Sequence, residues 1–389
     1  MGQKTILILF ALLRSAIRGS QMSEEEKIMF SDDMLPELLT ISHKHDIAHL
    51  IGSGLYINGR TNKSNMYYDK FQQQQMMAVY RYEKINYDYQ ELCAALESAE
   101  VPFVPLKGSV IRKYYPEGWM RTSCDIDVLV HEADIDKAVS YLIDNCGYTE
   151  KGKGSHDVSL FTPSGQHIEL HYDLVEGGRA NSSCKILKTV WNAVSNRDGY
   201  TYWNEMPDEM FYFYHIAHMA KHFENGGCGI RPFIDLWILD NLPDFNHAKR
   251  EDLLSQGELL QFTNIARRLS KVWFEESDID PITEKMQNYI LRGGVYGTTE
   301  NRVMVQQQKS GGRLQYAFSR IFLSYDLIKF HYPVLMKHRW LTPIMEIRRW
   351  FKLAFFGGAK RSMRELKYNI NISDVEASHT QEFLKDIGL

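Results

Sequence analysis

No two cysteines in this chain stand in CxxC spacing, and the five present, at positions 93, 124, 146, 184 and 228, are an odd number. Neither a disulfide framework nor a zinc knuckle follows from them, and reduced thiols in a cytoplasm are the default expectation. Basic charge is not in excess either. Lys and Arg number 45 against 49 Asp and Glu, a formal net charge of -4, so nothing global marks a nucleic-acid binder. No apolar run reaches the roughly 20 residues of a membrane-spanning helix. The glycine loop Gly293–Gly297 is not followed by Gly-Lys-Ser/Thr, which weakens a phosphate-loop reading of it. Internal repeats are missing.

What is present reads as globular, with 44% apolar and 24% charged residues. The stretch Ile6 to Ile17 is apolar except for Arg14 and Ser15. It looks faintly like a signal peptide, but Arg14 interrupts it and no small-x-small cleavage site follows. Ile6, Phe10, Leu13 and Ile17 share a helical face, so we expect a packing helix that stays in the mature chain. Glu24–Glu26 can start a second helix. Pro36 opens a third through Leu39, Ile47 and Leu50, which Gly52 and Gly54 are expected to break. Ile85, Tyr89, Leu92 and Leu96 then repeat at helical spacing up to Ala99.

At Val101 the pattern changes. Val101–Leu106 reads as a strand, with Pro102 and Pro105 favouring a sheet edge, and Val110–Tyr115 as a short helical piece. Asp125–Val130 is a second strand and Ile135–Ile143 a helix that Gly147 stops. Val158–Phe161 and Ile168–Leu174 form a hairpin around Pro163 and Gly165. After Glu176–Gly178 the pattern is helical again, with Ile186–Val194 as one helix, Pro207 opening another through His222, and Phe233–Leu239 in the next. The expected fold is α+β: a small mixed sheet between largely helical flanks, divided as 1–95, 96–180 and 181–389.

The chemistry concentrates in Leu106-Lys107-Gly108-Ser109, Arg121-Thr122-Ser123-Cys124-Asp125-Ile126-Asp127 and Ile168-Glu169-Leu170. Alternate strand residues share a face, so Asp125 and Asp127 point one way and Ile126 and Val128 the other. Two adjacent carboxylates repel, and a divalent cation between them relieves both repulsion and desolvation. Magnesium takes few protein carboxylates and shares its other positions with phosphate and water. The hairpin can bring Glu169 to the same sheet as a third acid, which allows two metals to clamp an in-line displacement. Gly108 and Ser109, ending a strand and starting a helix, suit a triphosphate through backbone N–H groups. Lys107 and Arg121 could reach phosphate oxygens, and His171 lies on the Glu169 face, near phosphate or acceptor.

This arrangement resembles the polymerase-β-type nucleotidyltransferase superfamily, in which a Gly-Ser or Gly-Gly pair precedes an Asp-hydrophobic-Asp strand and a later strand acid. More narrowly it resembles an uncharacterised bacterial nucleotidyltransferase family that reads Leu-Lys-Gly, Arg-x-x-x-Asp-Ile-Asp and Ile-Glu-Leu-His, here Leu106–Gly108, Arg121–Asp127 and Ile168–His171. His218-Met219-Ala220-Lys221-His222 with Asp235 is similar to that family's helical region. The likeness covers most of the chain, with specific motifs only in 104–235. It departs from the superfamily at Lys107, where an apolar residue is usual. The resemblance implies metal-dependent transfer of a nucleoside monophosphate from a nucleoside triphosphate, with Mg2+ or Mn2+ on Asp125, Asp127 and Glu169. It names no acceptor; a hydroxyl of a small molecule, sugar or peptide is expected ahead of nucleic acid. Three other readings stay open: a metal phosphohydrolase using His218 and His222, for which further ligands are not evident, a toxin-like transferase acting on RNA or protein, and a catalytically silent nucleotide-binding module.

His215, His218 and His222 share a helical face, and the last two have the i, i+4 spacing of zinc helices. Met219 follows His218, so the metalloprotease glutamate is missing, and buried or pocket-lining histidines are the better expectation. Phe211–Tyr214 reads as packing. The nine Lys and Arg of residues 337–368 read as a solvated helix face ahead of a nucleic-acid contact.

Overall fold

The architecture is taken from a computed structural model that describes residues 2–62, 64–175, 181–243, 245–356 and 359–389. It divides into two compact units, Met1–Met219 with Gly229–Val295, and Ala220–Cys228 with Tyr296–Leu389.

The first unit opens with helices α1 (Gln3–Arg18), α2 (Glu24–Met29), α3 (Leu35–Lys44), α4 (Ala48–Ile57) and the long α5 (Met66–Ser98). Helix α1 buries Ile8, Leu9, Phe10, Leu12, Leu13, Ala16 and Ile17, a wider face than the expected stripe. Arg14 is tied down rather than exposed, donating to the Trp273 carbonyl at 3.0 Å and pairing with Glu26. The single helix read through Leu50 is two helices. The break falls at His45–Ile47, where Asp46 takes a φ of 53°, and Gly52 and Gly54 lie inside α4. They serve close packing. A Cβ on Gly54 would come within 2.3 Å of the Leu12 carbonyl oxygen of α1, and one on Gly52 within 2.8 Å of the Phe71 oxygen of α5.

The α/β part follows: β1 (Phe103–Pro105), α6 (Lys107–Ile111), β2 (Asp125–Val130), α7 (Ile135–Cys146), β3 (Thr149–Lys153), β4 (Asp157–Phe161) and β5 (His167–His171). The sheet order is β1-β2-β5-β4-β3. Only β2 and β5 run parallel, so the sheet is mixed and the fold α+β. Ile126, Val128, Val130, Leu160, Ile168 and Leu170 form one face, packed against Ile85, Leu92 and Leu96 of α5 and Ile135, Ala138 and Leu142 of α7. That burial fixes the register, because a slip by one residue would turn every acid into the core. Gly147, at φ 71°, ends α7 as expected. Strand β3 had no sequence signal.

Helix α8 (Ser182–Leu187) is shorter than the expected helix to Val194, and a two-stranded ribbon of β6 (Ser195–Asn196) and β7 (Asn204–Glu205) follows it. The break read at 176–178 lies outside the described residues. Helices α9 (Asp208–Glu224), α10 (Arg231–Asp240), α11 (His247–Gln256), α12 (Leu260–Phe274) and α13 (Pro281–Arg292) come next.

The second unit is helical: α14 (Thr299–Lys309), α15 (Arg313–Ile321), α16 (Tyr325–His331), α17 (Thr342–Phe356), α18 (Ala359–Asn371) and α19 (Asp374–Asp386). Val303, Tyr316, Ile372 and Ala377 form a buried cluster within it. No helix among the described residues is long and apolar enough to cross a membrane.

Candidate active site

Strands β2 and β5 pair in parallel with Asp125 opposite His167, Asp127 opposite Glu169 and Leu129 opposite His171. Because side chains alternate, the acids and both histidines occupy the sheet face away from α5 and α7. Ser159 of β4 sits opposite Glu169 on the other side, and its hydroxyl bonds His167 Nε2 at 2.7 Å. Two donor groups result, Asp125–His167–Glu169 and Asp127–Glu169–His171, each with its ligand atoms within 4.8 Å of one another. Glu169 belongs to both, as a bridging carboxylate would. The three expected acids are thus gathered, and two histidines join them.

Asp127 is buried and its Oδ1 accepts from Lys107 Nζ at 2.7 Å and from His171 Nε2 at 2.8 Å. Burial works to neutralise it, but the Lys107 ammonium and His171 hold its carboxyl well below the usual carboxylate range. Asp125 moves the other way, raised first by burial and then by the charge of Asp127. Burial opposes the charge of Lys107, yet Tyr214 and Asp127 hold its ammonium above the ordinary lysine range. His171 is likewise disfavoured as a cation by burial, but its bonds to Asp127 and Glu169 raise its pKa. The site therefore carries an acid held charged, an acid pressed toward neutrality and a fixed ammonium. The crowding of Asp125 against the charged Asp127 is what a divalent cation would relieve.

Lys107 was read from sequence as a phosphate contact. Its ammonium lies on Asp127, reached from a backbone φ of 45° at the start of α6. Gly108 and Ser109 stand in the first turn of α6, at a helix start as expected, while β1 ends earlier, at Pro105. The Gly108 carbonyl accepts from Arg112 Nε at 2.8 Å, and the same guanidinium donates to Ser123 Oγ at 2.7 Å. A Cβ at Gly108 would press on Ser123 at 3.2 Å. The turn and the segment before β2 are thereby locked together.

Arg121 takes a different partner from the phosphate expected. Its Nε and Nη2 fork onto Asp235 of α10 at 2.7–3.0 Å, and Nη1 donates to the Thr122 carbonyl. Tyr115 donates to the same carboxylate at 2.6 Å. Burial opposes the Asp235 charge, but Arg121 holds its carboxyl below the usual range. Beside it Arg231 binds Asp46 and the Thr122 hydroxyl, at 2.7 and 3.1 Å. These contacts brace the segment that carries Asp125. Asp46 and Arg231 sit far from the motif and form no local pattern that sequence could show, and Tyr214, expected only to pack, lies near enough to Lys107 to support its charge.

The histidines of α9 form no third metal group: none is found around His215 or His218 among the described residues. His215 donates to the Pro232 carbonyl at 3.0 Å and is kept neutral by burial. His218 packs against the Tyr214 ring. A cavity of about 560 Å3 lies beyond β1 and α6, lined by Tyr82, Tyr89, Ser109, Arg112, Arg197 and Trp203 among others. Asp125, Asp127 and Glu169 are not among its lining residues.

A mixed sheet presenting Asp-x-Asp and a partner-strand acid on its open face, with a Gly-Ser turn beside it, is the construction of a nucleotidyltransferase. Residues 32–275 match the model of the family described as uncharacterised nucleotidyltransferase, and the chain belongs to that family. No curated protein and no solved structure matches it.

Proposed function

We propose that this enzyme moves a nucleoside monophosphate group from a nucleoside triphosphate to an acceptor hydroxyl, with pyrophosphate leaving, and that the reaction depends on Mg2+ or Mn2+. The observation that carries the reading is the register Asp127↔Glu169 with Asp125 one alternation away. It sets three carboxylates on one face with Glu169 common to both donor groups. Asp125, Asp127 and Glu169 would hold the metal, with His167 and His171 at its margins. A bound divalent cation supplies charge neutralisation for the phosphates and a lower pKa for a coordinated hydroxyl. The chain's own part is positioning and electrostatics. Lys107 fixes Asp127 as an anion, His171 orients it, and the Gly108–Ser109 turn offers backbone close to the phosphates. The mild overall acidity favours a small-molecule, sugar or peptide acceptor over nucleic acid.

The test is calorimetric titration of the whole chain with ATP, GTP, CTP and UTP. At least one should bind with magnesium or manganese present and bind much more weakly in excess chelator. Equal affinity in chelator would remove the metal-dependent account.

A further inference from the structure

The second unit carries an exposed apolar stripe on helix α17. Helix α17 is fastened by its inner side. Glu346 Oε1 accepts from the Leu323 N–H at 2.6 Å, Arg349 Nε bonds Glu346 Oε2 at 2.8 Å, and Trp350 Nε1 donates to the Ile321 carbonyl at 2.8 Å. These bonds orient the helix and leave an apolar stripe facing outward. Ile344, Ile347, Phe351 and Phe355 recur at helical spacing on that outer side, and Trp340 stands just before the helix. Their exposure runs from 50% to 76%. The Phe351 and Phe355 rings stack at 6.2 Å. Arg348 and Lys352, each one residue on from a stripe position, line one margin, and Lys337 and Arg339 surround Trp340; all four are exposed. From 337 to 352 there are five Lys and Arg against one acid, Glu346, and that acid is already paired with Arg349.

Single exposed apolar residues need no explanation, but a continuous stripe of them does. We propose that α17 is an interfacial helix that seats this unit on an anionic lipid surface, with Ile344, Ile347, Phe351 and Phe355 entering the headgroup boundary. Three features select this occupant. An aromatic–aliphatic stripe with a basic margin is the chemistry of helices that lie in the bilayer plane. Trp340 at the helix start suits the interface, where an indole is apolar in body and polar at its N–H. A second copy meeting stripe to stripe would set Arg348 and Lys352 against like charges, which disfavours self-association. No described helix can cross a bilayer, so seating is peripheral.

The experiment is co-sedimentation of the full chain with phosphatidylcholine vesicles that contain or lack phosphatidylserine. Binding should be at least about tenfold stronger with phosphatidylserine and weaken as salt is raised, because basic side chains near the surface supply the discrimination. Phe351→Asp/Phe355→Asp should abolish binding to both vesicles. Arg348→Glu/Lys352→Glu should keep a weak binding that no longer distinguishes them. All of these side chains are exposed, so the thermal midpoints of the variants should match the parent; should one double variant unfold, the other and the salt titration still decide. Three results would overturn the inference: no sedimentation with phosphatidylserine vesicles, equal sedimentation with both compositions, or a concentration-dependent dimer that Phe351→Asp dissolves, which would give the stripe to a second copy.

Discussion

Glu169 stands opposite Asp127 across two parallel strands and shares His171 with it, the Nε2 lying 2.8 Å from Asp127 and 3.4 Å from Glu169. Glu169→Gln keeps shape and hydrogen bonding while removing one charge from a crowded acidic face. We expect turnover to fall by about 100-fold or more, with stability unchanged or slightly higher in the absence of metal. Wild-type pyrophosphate release from the variant would return Glu169 to an ordinary strand residue. Arg121 makes the contrasting case. Arg121→Met strands the buried Asp235, with the Tyr115 hydroxyl at 2.6 Å as its remaining hydrogen-bond donor among the described residues. Breaking a buried pair on one side costs about 3–5 kcal/mol, so a large fall in thermal midpoint is expected, partly recovered by Arg121→Met/Asp235→Leu. An unchanged midpoint would show that the brace does not hold the fold. The two cases also show what sequence can reveal. Asp125, Asp127 and Glu169 are legible because strand alternation is a local rule that puts spaced acids on one face. The Arg121–Asp235 pair joins residues 114 apart, and no local periodicity encodes such a meeting.

Elements obey the same division. Helices α1, α5 and α7 and strands β2, β4 and β5 each carry an apolar period that matches the face they bury, so their existence could be read directly. Strand β3 could not. Its residues, Thr-Glu-Lys-Gly-Lys, are all exposed, and its pairing with β4 shifts between Glu150 and Gly152; an irregular, charged edge strand has no buried face to announce it. The glycines of α4 misled for a related reason. Glycine breaks helices by intrinsic preference, but at Gly54 a tertiary demand prevails, because α1 crosses too near for a side chain. Gly54→Ala would gain helix propensity, yet its methyl would meet the Leu12 carbonyl oxygen at 2.3 Å, a backbone atom that cannot swing away. Overpacking of this kind costs about 1–3 kcal/mol. Chemical denaturation should therefore show a lower midpoint for Gly54→Ala, whereas a higher one would mean that α1 and α4 separate freely.

Across the whole molecule, buried histidines set the response to acid. His45 is fully buried, and neither ring nitrogen has a hydrogen-bond partner among the described residues. Burial, with some help from the charge of Lys44, lowers its pKa to about 4. His49, whose Nε2 donates to the Met120 carbonyl at 2.8 Å, is lowered by burial to about 4 as well, against the pull of that bond. Between pH 6.5 and 4 the unfolded chain therefore binds a proton at each of these positions and the folded chain does not. Stability must fall as pH falls through that window, by up to about 1.4 kcal/mol per pH unit for each histidine. His215 is lowered and acts in the same direction. His171 is raised, so its contribution is fully present below the unfolded value and is lost only as pH rises through the folded one; it does not add to the acid loss. Asp127 and Asp235 are depressed, and what they contribute disappears only below the ordinary aspartate range, under this window. Asp125 and Asp240, raised by burial, take up protons more readily folded than unfolded and offset part of this loss; with the histidines outweighing them, the thermal midpoint should drop from pH 7 to pH 4.5. His45→Leu fills a similar volume without a titrating ring, so near pH 7 it should lie within about 1.5 kcal/mol of the parent. As pH falls its advantage should grow, reaching about 2–3 kcal/mol relative to its pH 7 value near pH 4.5. Parallel midpoint curves for the two proteins would show that His45 accepts its proton in the folded state without penalty.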